Sequence, residues 1–401
     1  MPELLIARQP IFNETLDVVG YELLYRAHTP NVSPADPAVL KAALDKFAEI
    51  GLENLVGEKK VYLNASRSFL TGKYPIFLPP TSLVLEVQDD IALEQESLDA
   101  VAALSQQGYQ IALEKVVSVN KVAKLLSQMH IVKIDLTSLD RMQLAETVKR
   151  LKLHRVKLLA NQVETLDDLA YCQRLGFGYF EGYFLCKPRI VQGRRLDASR
   201  SVVMRSLAQI QDSTADFQSL AKIISQDVSL SYKLLKLVNS AYYSLSKTIT
   251  SLEQAVALIG LNQLRAWMTL ILMASVRNKP HELTTLALAR AKMCELLAKD
   301  RGERQTDPFF LVGLFSILDA LMDLPMQDVI VNLPLSEDIA SALLSQKGQP
   351  GEVLKIALAY ERGQWDGLLA LKGGPKPADI SAAYLEAIQW TTAVVRTMNN
   401  A

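Results

Sequence analysis

Histidine, cysteine and net charge are all scarce in this 401-residue chain, and each shortage removes a class of function. There are only four histidines. The three cysteines, Cys172, Cys186 and Cys294, lie far apart with no CxxC pair. Neither a disulfide scaffold nor a thiolate zinc site can be read from them, and free thiols suit a reducing, cytoplasmic setting. The 43 Lys+Arg cancel the 43 Asp+Glu. The balance also holds on each side of residue 196, with 23 of each sign before it and 20 of each after it. Such a chain lacks the bulk field that draws proteins to nucleic acid or anionic lipid, so neither is expected as a partner. Long apolar runs are missing too. Ala266–Ala274 and Phe309–Leu318 each run to about ten residues against the ~20 needed to span a bilayer, and are read as buried helices. The opening Met1-Pro2-Glu3 has no basic, apolar leader. With 49% hydrophobic and 21% charged residues, a folded globular protein without membrane insertion is expected.

What is present falls into two textures. In the first half, β-rich segments recur at Val18–Tyr25, Lys60–Asn64, Leu83–Val87, Tyr109–Leu113, Ile131–Asp135, Val156–Ala160 and Gly178–Phe184. Stretches of helical periodicity separate most of them, which argues for βα units on a parallel sheet. Asn64, Glu86, Glu114, Asp135 and Asn161 end successive segments, at spacings near one βα repeat. In a βα barrel, C-terminal strand ends converge on one face, so these side chains are expected to build an oxygen-rich pocket. From about Ser199 the pattern becomes helical, with punctuation at Asp307-Pro308, Leu324-Pro325, Leu333-Pro334 and Gly373-Gly374-Pro375. The expected architecture is a TIM-like α/β barrel over 1–192, a polar linker, and an all-α domain over 200–395.

Gln9-Pro10-Ile11 followed by Gly20-Tyr21-Glu22-Leu23-Leu24-Tyr25-Arg26 resembles the signature strand of the EAL family, which hydrolyses cyclic-di-GMP on a βα barrel. Leu63-Asn64-Ala65, Leu85-Glu86-Val87, Val132-Lys133-Ile134-Asp135, Val163-Glu164-Thr165 and Gly182-Tyr183-Phe184 match later motifs in order. The second half resembles an HDOD domain, through Gln226-Asp227-Val228-Ser229-Leu230, Leu234–Ala241, Ala255–Leu261 with Trp267, Arg290–Ala298 and Phe310–Met322. The pairing resembles a YuxH-like group of bacterial signalling proteins.

The resemblance implies roles residue by residue. Glu22, Asn64, Glu86, Lys133 and Glu164 match the family's catalytic positions. Gln9 and Arg26 match positions that contact the dinucleotide, where a guanidinium fork suits phosphate. Glu22, Asn64, Glu86 and Glu114 are the expected ligands of at most one weak Mg²⁺ or Mn²⁺ site. Four pocket positions depart from the pattern. The family's paired Asp-Asp becomes Glu114-Lys115. The first change lengthens a carboxylate arm, and Mg²⁺ demands ~2.1 Å octahedral contacts. The second places an ammonium beside a +2 ion, a repulsion of roughly 6–7 kcal/mol at ~5 Å and an effective dielectric of ~20. The run Ala-Glu-Gly-Val-Glu appears as Ala160-Asn161-Gln162-Val163-Glu164, replacing a carboxylate by Asn161. A late Gln becomes Glu181.

The second half holds a single histidine, His281, and no His-Asp pair, so an HD-type metal centre cannot be assembled there. His281 is expected in a loop, and His28, His130 and His154 on surfaces or loops. Trp267, Tyr242 and Tyr243 are candidates for either core or a partner surface. The expected protein is a non-catalytic signalling factor with a vestigial phosphodiesterase pocket and no resident cofactor. It is expected to act on other signalling proteins through either domain, with a homo-oligomer also compatible. Active hydrolysis of cyclic-di-GMP with Mg²⁺ or Mn²⁺, and binding of the dinucleotide without hydrolysis, stay open as alternatives.

Overall fold

The computed structural model describes residues 4–27, 36–76, 78–88, 95–114, 116, 119–122, 125–187, 198–225, 228–239, 249, 251–276, 279–369 and 374–399. The chain divides into two compact units, Met1–Leu185 with Glu361–Gly363, and Cys186–Tyr360 with Gln364–Ala401.

The first unit is a closed eight-stranded barrel in sequential order. Its strands are β1 (Leu4–Phe12), β2 (Val18–Ala27), β3 (Lys60–Asn64), β4 (Leu83–Gln88), β5 (Gln110–Glu114), β6 (Ile131–Asp135), β7 (Lys157–Asn161) and β8 (Tyr179–Glu181). The sequence pattern had not singled out β1. It runs antiparallel to both β2 and β8, so the sheet is not wholly parallel as the βα alternation predicts. Asn13 makes this reversal local: its side chain accepts from Thr15 and Asp17 backbone N–H groups at 3.0 and 2.8 Å.

Two rings fill the barrel. Side chains alternate across each strand, so residues two apart share a face. Ile11, Tyr62, Val84, Ala112, Ile131 and Leu159 form a continuous buried cluster, with Tyr179 packed against it. Gly20 completes this ring by absence. A Cβ there would lie 2.6 Å from the Tyr62 ring and 2.8 Å from the Lys60 carbonyl. Two residues further on along β2–β8, the same face carries Glu22, Asn64, Glu86, Glu114, Lys133, Asn161 and Glu181. On the reversed β1, two residues back gives Gln9. An apolar ring thus supports a ring in which every strand contributes a polar side chain.

Capping fixes the helices beyond β6 and β7. Asp140 and Gln143 form a reciprocal capping box on Arg141–Leu151, and Thr165 and Asp168 do so on Leu166–Leu175, which ends at the left-handed Gly176.

The second unit is helical throughout its regular structure among the described residues. Ala266–Ala274 belongs to a longer helix than expected, Leu252–Ala274, which is long and apolar enough by length and composition to cross a membrane. It is broken at Gly260 (φ 78°, ψ 166°), and its second part buries Trp267, Met268, Leu270 and Met273. Trp267 is 1% exposed and stacks on Trp390 at 5.8 Å, while Phe310 meets Trp390 edge-on at 6.1 Å. Trp267 is therefore core, not partner surface. Tyr242 and Tyr243 lie outside the described residues, as does His28. His281 is exposed, but it opens the helix His281–Asp300 instead of lying in a loop. Asn239 is a structural clamp: its amide donates to Leu235 and Ile249 carbonyls and accepts from the Ile249 N–H.

A buried carboxylate cage is the candidate functional site

The polar ring converges on Lys133. Its ammonium donates hydrogen bonds to Glu22 and, at 3.1 Å, to Glu86. It also lies 3.2 Å from Glu114 Oε1 and 2.9 Å from Glu181 Oε2. Asn64 Nδ2 donates to the second oxygen of Glu22 at 3.1 Å. These groups are out of water: Glu86 and Glu181 are 0% exposed and Lys133 2%. Burying ions is costly unless each finds partners, and among the described residues the Lys133 ammonium is shared by four carboxylates.

The shortage of positive charge governs protonation. Burial opposes the charged form of Lys133, yet Glu181, Glu22, Glu86 and Glu114 outweigh it and hold the ammonium well above the usual lysine range. Burial, then the Glu22 charge, pushes Glu86 and Glu181 well above the carboxylate range despite Lys133. Burial pushes Glu22 the same way, but attraction to Lys133 and its hydrogen bonds leave it below its ordinary value. The cage thus makes up for missing cations by favouring protons on Glu86 and Glu181. Glu86 Oε2 is buried without a hydrogen bond. Glu181 Oε2 stands 2.9 Å from the ammonium, and the Glu181 carboxyl also interacts with that of Glu22.

The donor set suits one hard divalent cation. Oxygens of Glu22, Glu86 and Glu114 lie within 4.8 Å of one another, and Glu86 Oε2 has a free lone pair among them. Carboxylate oxygens are the chemistry of Mg²⁺ and Mn²⁺. Glu22, Glu86 and Glu114 would hold the ion, with Asn64 orienting Glu22. When bound, the ion would supply Lewis-acid polarisation of a phosphate oxygen.

The remaining sequence-derived positions fare differently. Gln9 is buried on β1, directly opposite Glu22. Arg26 is half-buried near the end of β2, on the Glu22 face. Glu164 is exposed and stands just before the helix Leu166–Leu175, outside the cage. Asn161 turns its Oδ1 to the Gln162 N–H at 2.7 Å. Lys115 lies outside the described residues. Asp135, expected in the pocket, instead caps the short turn Leu136–Ser138 through the Thr137 N–H. Lys133, two residues earlier on the same face, takes the central place. Glu181 appeared in the sequence only as a departure, whereas here it is one of four carboxylates around the ammonium. Its spacing of two from the inward-facing Tyr179 was the signal that marks it.

Comparisons with known proteins fit this division of the chain. Residues 196–327 match the HDOD domain model. The uncharacterized protein YuxH of Bacillus subtilis is 31% identical over 397 residues, covering 96% of this chain and 97% of YuxH. The cyclic di-GMP phosphodiesterase CdgJ of Vibrio cholerae is 31% identical over 401 residues, covering 98% and 93%. Among solved structures, the EAL enzyme Bd1971 with cAMP and cyclic-di-GMP bound aligns with a TM-score of 0.37 and 20% identity. That alignment covers 45% of this chain and 61% of Bd1971. With two relatives so similar along almost its entire length and an HDOD match behind its barrel, the chain belongs to the EAL–HDOD two-domain family that includes YuxH and CdgJ.

Proposed function

We propose that this chain is a non-catalytic signalling protein of the cyclic-di-GMP network, whose barrel retains a phosphodiesterase pocket without its two-metal chemistry. The observation that carries this reading is that the described carboxylates gather into one candidate metal centre, Glu22, Glu86 and Glu114, while Asn161 stands where the family carries a further carboxylate. Two-metal hydrolysis needs a second ion about 3.5–4 Å away to clamp both attacking and leaving oxygens. Asn161 is engaged with its own backbone and Glu164 stands in solvent, which argues against such a second site. The output then passes through contacts with other signalling proteins in the cytoplasm, made by either domain, and a homo-oligomer is compatible with this.

Purified full-length protein incubated with cyclic-di-GMP and Mg²⁺ or Mn²⁺ tests this directly. No linear dinucleotide is expected by chromatography. Product that disappears in Glu22→Ala would overturn the reading. A second reading, an active phosphodiesterase, draws on the convergence of Glu22, Glu86 and Glu114 and on the name of CdgJ. A third, a receptor that binds the dinucleotide intact, draws on Gln9 opposite Glu22 and on Arg26 four residues further along β2. Calorimetry with no heat at high micromolar cyclic-di-GMP removes it.

A further inference from the structure

We propose that the end of the barrel opposite the carboxylate cage is a docking surface for an acidic protein partner, centred on Leu153 and the cations around it. This names a surface for the protein contacts inferred above, and rests on that reading for the kind of output. The charge balance of the whole chain hides a local segregation. The stretch from Thr147 to Lys157 carries Lys149, Arg150, Lys152, Arg155 and Lys157 and no acidic residue.

Topology puts these side chains on one face. Helices of a βα barrel run back against its strands, so helix C-termini share a face with strand N-termini. Lys149 and Arg150 lie in the last turn of the helix Arg141–Leu151, and Lys157 opens β7. Glu114 and Glu181 of the cage stand at the other ends of their strands. Between helix and strand the chain turns tightly. The Leu153 N–H donates to the Arg150 carbonyl at 3.2 Å, and the His154 N–H to the Leu151 carbonyl at 2.9 Å. The Lys157 N–H then donates to the His130 carbonyl at 2.9 Å. Held at both ends, this turn presents Leu153 85% exposed. Lys149, Lys152, Arg155 and Lys157 are exposed as well. Among the described residues, none of these four is ion-paired with a carboxylate. Glu14, Asp17 and Glu58, which share this end of the barrel, belong to the turns before β2 and β3 instead.

A single exposed leucine, or a charged helix face, is ordinary surface by itself. Here the two coincide in one hydrogen-bonded turn, as an apolar anchor inside a rim of one sign of charge. Unopposed cations repel one another. A carboxylate-rich partner relieves that repulsion, and an apolar socket on it takes the leucine. Phosphate polymers fit less well, because phosphate sites draw on the free N–H groups of helix N-termini. This face presents the C-terminal ends of Arg141–Leu151 and Leu166–Leu175, which offer carbonyls. One leucine is also a shallow anchor for a bilayer, which interfacial helices enter with a whole apolar face.

A fluorescein-labelled amphipathic peptide with a glutamate face and a leucine seam is the probe, titrated with the full chain and followed by fluorescence polarisation. Binding that weakens as salt rises from ~50 to ~200 mM is expected. Lys149→Glu/Arg155→Glu should weaken it about tenfold or more, and Leu153→Ser about threefold or more. Lys299→Glu makes the same charge change on an exposed residue of the helical unit and should leave binding unchanged. No polarisation change with the acidic peptide, or equal binding by wild type and Lys149→Glu/Arg155→Glu, overturns the proposal. Tighter binding to vesicles of phosphatidylglycerol in phosphatidylcholine, or to duplex DNA, overturns it too, by giving the face to another class of partner. Should circular dichroism show the double variant unfolded, Leu153→Ser must weaken peptide binding, or the proposal fails. Failure here leaves the hydrolysis assay untouched, whereas wild-type hydrolysis overturns the non-catalytic reading whatever the peptide does.

Discussion

Replacing Lys133 by Met asks how much of the barrel's stability hangs on one cation. The methionine nearly keeps the side-chain volume and deletes the positive charge that Glu22, Glu86, Glu114 and Glu181 share. One ion-pair contact at ~3 Å and an effective dielectric of ~20 corresponds to about 5–6 kcal/mol before desolvation is counted. Part of that returns because the ammonium no longer has to be buried. Breaking a buried ion pair from one side costs about 3–5 kcal/mol, a large share of the roughly 5–15 kcal/mol that keeps a domain folded. With a urea dependence near ~2 kcal/mol per molar, the barrel's midpoint should fall by about 2 M. Far-UV circular dichroism follows the whole chain. All three tryptophans, Trp267, Trp365 and Trp390, lie in the helical unit, so their fluorescence reports that unit separately. The loss also has a pH signature. Without Lys133 the buried carboxylates bind protons more tightly in the folded than in the unfolded state. The variant's stability therefore falls as pH rises above the unfolded carboxylate pKa of ~4.3, and its gap from wild type widens. A gap under about 1 kcal/mol at neutral pH, or one that ignores pH between ~5 and ~8, refutes the reasoning, because exposed pairs behave that way.

Other positions give sharper local tests. Gln162 has φ 59° where the family pattern carries glycine. Relief of about 1–2 kcal/mol of left-handed strain, less about 0.5–1 kcal/mol of glycine's chain entropy, predicts that Gln162→Gly raises the melting temperature by a few degrees. A decrease would count against that estimate. Gly182 has φ 147°, and a Cβ there would stand 2.1 Å from the Val163 carbonyl oxygen. Gly182→Ala should therefore destabilise by about 3 kcal/mol or more and disturb the neighbouring Glu181, which hydrogen exchange at the Val163 N–H can detect. His130 Nδ1 accepts the Ile111 N–H at 3.2 Å, and burial with nearby Lys60 lowers its pKa. The unfolded chain then takes up the proton first, so this contribution is lost as pH falls below the unfolded value of ~6.5. His130→Asn should flatten the wild-type decline between ~6.5 and ~5 in thermal melts.

Much of the barrel was legible because its strands obey a period of two and are separated by helical repeats. Asn64, Glu86, Glu114 and Asn161 could be placed at strand ends on that basis alone. Asp135 could not be told from Lys133 in the same way. Both share a face, and what separates them is a cap: Asp135 is taken by the Thr137 N–H at the start of the next turn. β1 was missed because Leu4–Phe12 precedes the first helix and pairs antiparallel, outside the βα rhythm. The meeting of Glu22, Glu86, Glu114 and Glu181 on one ammonium joins residues up to 159 positions apart in the chain. Barrel closure sets that proximity, and no local pattern carries it.

The stacking of an apolar ring beneath a polar one has an evolutionary consequence. Ile11, Tyr62, Val84, Ala112, Ile131 and Leu159 form a buried ring that does not depend on polar pairing two residues above them. The upper positions can therefore trade acids, amides and amines where the cage's charge stays balanced, while the lower ones keep the strands in register. A scaffold arranged this way lets a lineage soften or repurpose a chemistry by changes that keep the charge of the upper ring in balance, with the lower ring holding the strands meanwhile.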